Sequence, residues 1–244
     1  MIRKTSLMVM LILVIMTSSV FAMIPETMDI QTAERRSMET LLINSTNGTR
    51  YELFLISDNA HYVSDDPLYK KVYGRDALKD DYVQEGDFYV YIARLGGETA
   101  FLQKNIGPFS TLDTEGTSKN GCYVIPGKNG MPDILERATS RIMCGSDTSY
   151  AAQFYVIKDN RLQGIQFMGQ DRRIESSSRL WGWIYGDDAV KYLDDGTFYI
   201  QWYENVWPRV GSYKAVYMFD YQNLIMIEAY TYKKGLHDDD YHRI

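Results

Sequence analysis

The strongest constraint on this chain is a succession of short apolar/polar alternations broken by turn-forming residues. In "DFYVYIARLGGETAFLQ", strands around Phe88–Arg94 and Thr99–Gln103 meet across Gly96-Gly97, a two-residue hairpin signal. "QFYVIKDNRLQGIQF" repeats the pattern with Phe154–Lys158 and Leu162–Phe167 across Asp159-Asn160. Asp194-Asp195-Gly196 turns "KYLDDGTFYI", and Asp220–Asn223 separates Tyr213–Phe219 from Leu224–Tyr232. Beyond residue 40 the apolar spacing is that of strands, and it predicts an all-β chain: an antiparallel meander of hairpins, propeller-like or sandwich-like, with at most a short N-terminal helix. The openings Phe88-Tyr89-Val90, Phe154-Tyr155-Val156 and Phe198-Tyr199-Ile200 are alike but unevenly spaced, so no regular repeat is expected. At 45% hydrophobic and 14% aromatic residues, the 244-residue chain can bury a core and is not a disordered polymer. Tyrosine outnumbers phenylalanine 20 to 9, which suits strands with one half-wet face.

The N-terminus reads differently. Arg3 and Lys4, an apolar run from Leu7 to Met16 and the Val20-Phe21-Ala22 pattern form a secretory signal peptide, residues 1–22. The run is too short to anchor the chain, so no membrane span is expected after cleavage and the mature protein is expected outside the cytoplasm, extracellular or periplasmic. Residues 23–40 are expected to form a helix or an arm, residues 41–234 a single β domain, and residues 235–244, rich in Asp and His, a disordered tail. Without Arg3 and Lys4 the chain has 24 basic and 32 acidic residues, a net charge of −8, which opposes nucleic-acid binding.

An exported chain with two cysteines, Cys122 and Cys144, permits one disulfide, which on a 22-residue spacing would stabilise by about 3 kcal/mol. Neither cysteine has a histidine or second cysteine at zinc-ligand spacing, and no cofactor or metal is expected. "NST" at Asn44 and "NGT" at Asn47 match glycosylation acceptors and equally match turn residues before a strand.

In "GKNGMPDILERA", Asn129, Gly130, Pro132, Asp133, Ile134 and Leu135 follow one another as a Gly/Asn turn, Pro-Asp and an apolar strand. This stretch, Gly127–Ala138, resembles the FG-GAP or VCBS type of β-propeller repeat. The resemblance implies a propeller blade, with calcium-binding carboxylates in the turn; Lys128-Asn129-Gly130-Met131 lacks the alternating aspartates, so no calcium is expected here. About a dozen strands would also supply only about three four-stranded blades, where a closed propeller typically has four or more.

Chemistry is sparse. The histidines are His61, His237 and His242; His61 reads as a turn residue rather than a general base, and neither a GxSxG elbow nor a phosphate-cradling glycine loop occurs. Carboxylates come mostly as adjacent pairs, Asp187-Asp188 and Asp194-Asp195 among them, which suits turns better than a glycosidase pair facing across a sugar. The aromatic residues carry the functional expectation. All four tryptophans lie between Trp181 and Trp207; Trp181, Trp183 and Tyr185 share one strand parity, and Tyr199 and Tyr203 share another. These six, Trp181, Trp183, Tyr185, Tyr199, Tyr203 and Trp207, form either a ligand platform or core. The expected function is a secreted, non-catalytic binding or interaction domain with an extracellular carbohydrate or protein ligand. The alternatives are a carbohydrate-active enzyme with a carboxylate pair beside the aromatic cluster, and a structural accessory domain.

Overall fold

The computed structural model describes residues 24–62, 83–113, 121–142, 148–175, 178–181, 189–204 and 208–244. Their strands form three sheets, and the chain is all-β with one seven-residue helix among the described residues. No helix among them is long and apolar enough to cross a membrane.

The first sheet runs β1 (Thr27–Asp29), β6 (Thr99–Leu102), β5 (Val83–Arg94), β3 (Arg50–Ile56), β2 (Glu39–Asn44), with β4 (His61–Tyr62) and β7 (Phe109–Asp113) on the first half of β5. The second runs β11 (Arg161–Gly164), β10 (Thr148–Lys158), β9 (Ile134–Ile142), β8 (Gly121–Ile125), with β14 (Ser178–Trp181) also on β10. The third runs β13 (Ile174–Glu175), β12 (Gln166–Met168), β18 (Ile225–Lys234), β17 (Gly211–Asp220), β16 (Phe198–Glu204), β15 (Val190–Tyr192), with β19 (His242–Arg243) on β18.

The second sheet is the middle layer because its strands are apolar on both parities. Phe154 and Val156 pack toward the third sheet, Tyr155 and Ile157 toward the first. Ile134 and Leu135 divide the same way on β9. A continuous apolar run of this kind marks a strand covered on both faces. The hairpin turn between β10 and β11 holds Asp159 and Asn160 at φ 53° and 59°, the left-handed pair of a type I′ turn, which Asp and Asn tolerate better than other side chains.

The expected strand Leu162–Phe167 is divided. β11 pairs with β10 in the middle sheet; at Ile165 the chain crosses over, and β12 lies parallel to β18 in the third sheet. Ile165 N–H still donates to Phe154 O at 2.8 Å, whereas Gln166 N–H donates to Leu224 O at 2.9 Å. One residue, Ile165, thus joins two sheets and is fully buried.

The N-terminal segment is a short strand followed by helix α1 (Ile30–Arg36). Asp29 Oδ1 caps it by accepting from Thr32 N–H at 2.9 Å, and Arg35 and Arg36 occupy the last turn, where the helix dipole favours positive charge. Ala33 is fully buried, and Met28 and Ile30 pack on Phe54, Tyr91 and Ala100, closing the outer face of the first sheet. At the other end β19 adds to β18, and Ile244 N–H donates to Thr231 O at 3.0 Å.

The Cys122–Cys144 bridge is not seen. Cys122 is a free thiol buried among Leu135, Tyr155 and Phe109, and burial pushes its pKa up; Cys144 lies outside the described residues. Cys122 sits opposite Arg137, and five more residues of β9 lead from Arg137 to Ile142, about 16 Å of strand.

Candidate functional site

Of the six aromatic residues expected to form a platform, Trp183, Tyr185 and Trp207 lie outside the described residues, and Trp181 is placed only through its backbone, opposite Tyr150. β16 resolves the remaining two by parity. Phe198, Ile200 and Trp202 face the core, Trp202 stacking on Tyr213 at 5.2 Å between ring centres. Tyr199 and Tyr203 point the other way and are half-buried. They share the outer face of the third sheet with Tyr230 and Tyr232, whose alternation in "EAYTYKK" is a strand signal of the same kind.

This tyrosine face is already partly covered by the chain itself. The Lys214 ammonium lies 3.9 Å from the ring centre of Tyr241, and the Arg243 guanidinium 5.8 Å from that of Tyr230. Tyr199 Oη donates to Gln201 Oε1 at 2.7 Å, which engages the amide that could otherwise have served a ligand. Burial, with a smaller contribution from the Tyr241 phenol, pushes the Tyr199 pKa up to about 12.

A second region, absent from the sequence expectations, is more open. Among the described residues β1 and β6 lie at one edge of the first sheet, and β11 is an edge strand of the middle sheet. Residues of β1, β6 and the β10–β11 turn together line a groove of about 1000 Å³. Its floor is Tyr51, Ile92 and Phe101; Phe101 pairs with Ile92 in register and is 53% exposed, although it shares the face that is core at Ile92.

Polar side chains close the neck of this groove. The Asn160 amide oxygen accepts from Tyr51 Oη at 2.5 Å and from Arg94 Nη2 at 3.0 Å, joining the β10–β11 turn to the first sheet. Gln103, only 5% exposed, accepts from Leu162 N–H at 2.8 Å, and Asn105 Nδ2 donates to Leu162 O at 2.6 Å. Two side chains therefore do for the edge of β11 what another strand would do, satisfying backbone groups that are costly to leave unpaired. Lys104 bridges to Glu26 across the groove wall. Sequence reading places Gln103 at the end of a strand, but nothing local shows that it reaches β11.

The remaining candidate residues are engaged in turns. Asp194 and Asp195 stand at a tip: the Lys128 ammonium, at 2.9 Å, holds the Asp194 carboxyl below its ordinary pKa, and hydrogen bonds from Thr197 do the same for Asp195. The Gly127–Ala138 segment that resembles a propeller repeat is knotted by Asp133, whose carboxylate accepts from Gly127 N–H, Asn44 N–H and Asn44 Nδ2, all at 2.7 Å. A Cβ at Gly127 would lie 2.0 Å from Met131 O, so only glycine fits this approach. Asn44 thus ties β2 to this turn, while Asn47 Oδ1 accepts from Thr49 N–H at 3.1 Å. His61, His237 and His242 are exposed, and among the described residues no group of three or more His, Cys, Asp or Glu is placed to hold a metal. Asp187 and Asp188 lie outside the described residues. No family model, curated protein or solved structure matches this chain.

Proposed function

We propose that this chain is an exported, non-catalytic binding module and that the groove at the open end of the first seam holds its ligand. The observation that carries the proposal is a volume of about 1000 Å³ with an apolar floor at Tyr51, Ile92 and Phe101 and polar groups converging from two hairpins. Ligand sites usually combine such apolar walls with a few placed polar groups. The Asn160, Gln103 and Asn105 bonds hold the walls apart before any ligand arrives, so little ordering is required on binding. The tyrosine face is a poorer host, because Tyr241 and Arg243 already lie against it. Export is supported by the leader at residues 1–22, and N-terminal sequencing of protein recovered outside the cytoplasm should begin at Met23.

Binding is tested without knowing the ligand by soaking crystals of the mature protein in a cocktail of small polar and aromatic fragments. Density gathered over Phe101 and between Arg94 and Arg161 is the expected result. Fragments that settle elsewhere and leave this groove empty would overturn the assignment.

A further inference from the structure

We propose that the groove takes an acidic oligosaccharide, a run of uronate-type sugars whose carboxylates meet Arg94 and Arg161 and whose ring faces rest on Phe101. The proposal rests on the groove being the binding site, and three observations narrow the ligand.

The first is charge. Lys104 is neutralised by Glu26, but Arg94 is held by an amide oxygen rather than a carboxylate, and Arg161 has no acidic partner among the described residues. Glu98 is the other acid on the lining, and it stands on the β5–β6 turn. Two guanidinium groups lining one groove, Arg94 from the first sheet and Arg161 from the middle sheet, favour a ligand with carboxylates of its own.

The second is the backbone. A peptide that binds as an added strand needs an open row of N–H and C=O groups. β6 is flanked by β5 on one side and β1 on the other, and Leu162 on β11 has both its N–H and its C=O engaged by Gln103 and Asn105, so the three-residue edge strand β1 is the longest stretch of groove backbone left for an added strand on these elements. Recognition over Phe101 and at Leu162 is left to side chains, as it is for sugars.

The third is the exposed ring. Phe101 offers a flat apolar face against which the C–H groups of a sugar ring can pack, and Thr27, its register partner, and Thr99 supply hydroxyls on the same wall. Hydroxyls both donate and accept, matching the hydroxyls of a sugar.

The test is calorimetric titration of the mature protein at fixed ionic strength with trigalacturonate, with neutral maltotriose and with tetraglutamate. Trigalacturonate is expected to bind, with maltotriose weaker by about tenfold or more. Arg161→Gln and Arg94→Gln should each weaken trigalacturonate by about tenfold, while Arg161→Lys recovers part of the loss. Both arginines are exposed, so the variants should melt with the wild type, and a melting check separates lost binding from lost folding. Absence of trigalacturonate binding, equal binding of maltotriose, no effect of Arg161→Gln, or tighter binding of tetraglutamate would each overturn the acidic-sugar proposal. If fragments still occupy the groove in that case, the binding site stands and only the ligand class falls; if they avoid it, both fall.

Discussion

The two seams that flank the middle sheet are built from similar strands and closed by different means. Between the middle and third sheets, rings meet edge to face: Phe154 lies 5.7 Å from Phe167 and 5.6 Å from Phe198, and within the third sheet Phe167 lies 5.3 Å from Tyr217. Between the first and middle sheets, apolar packing fills the part that includes Leu53, Val90 and Ile157, and then gives way to Gln103, Asn105 and Asn160. Here β11, an edge strand of the middle sheet, meets the chain leaving β6, and side chains bond its backbone. A seam of rings is closed by apolar burial and geometry; a seam that ends at a sheet edge needs polar side chains to satisfy that edge.

The sharpest contrast is in stability. Phe154→Ala removes a fully buried ring that touches two others and should cost about 3–5 kcal/mol in denaturant unfolding. A loss below 1 kcal/mol would show that the closed seam is not a packed core. Gln103→Ala acts at the open seam, where it strips the acceptor from Leu162 N–H, and should cost about 1–3 kcal/mol. Exchange of the Leu162 amide with deuterium should accelerate in the same variant, and an unchanged rate would mean that the side chain does not protect the edge.

Alkali should probe the outer face of the third sheet. The Tyr199 pKa is raised from 10 to about 12 by burial, so the folded state holds this proton more tightly than the unfolded chain does. Its contribution to stability is complete below pH 10 and is lost as pH rises through 12. Tyr199→Phe should therefore flatten the fall in stability between pH 10 and 12. An identical fall in wild type and variant would remove Tyr199 from the account.

These contrasts also mark what the sequence made legible. Alternation and turn residues located the hairpins at Gly96-Gly97, Asp159-Asn160 and Asp194–Gly196, because those signals are local. The parity of β16 likewise placed Phe198, Ile200 and Trp202 on one face and Tyr199 and Tyr203 on the other. The crossover at Ile165 was not legible, since an apolar residue between two strand segments looks the same whether the sheet continues or changes. Nor was the groove: its neck depends on a Gln103–Leu162 contact between residues 59 apart in sequence, which has no local signature. The tryptophan cluster is conspicuous in composition, yet of its six residues only Tyr199 and Tyr203 are described with their side chains, and the open cavity lies in a different seam.

Phe101→Ala tests most directly whether the open seam binds and the closed seam stabilises. Because Phe101 is more exposed than buried, its loss should change unfolding free energy by no more than about 0.5 kcal/mol, the range of ordinary surface substitutions. Measured on the same preparation, trigalacturonate affinity should fall by about tenfold or more. A variant that loses several kcal/mol of stability, or one that binds trigalacturonate as the wild type does, would contradict the division of labour between the two seams.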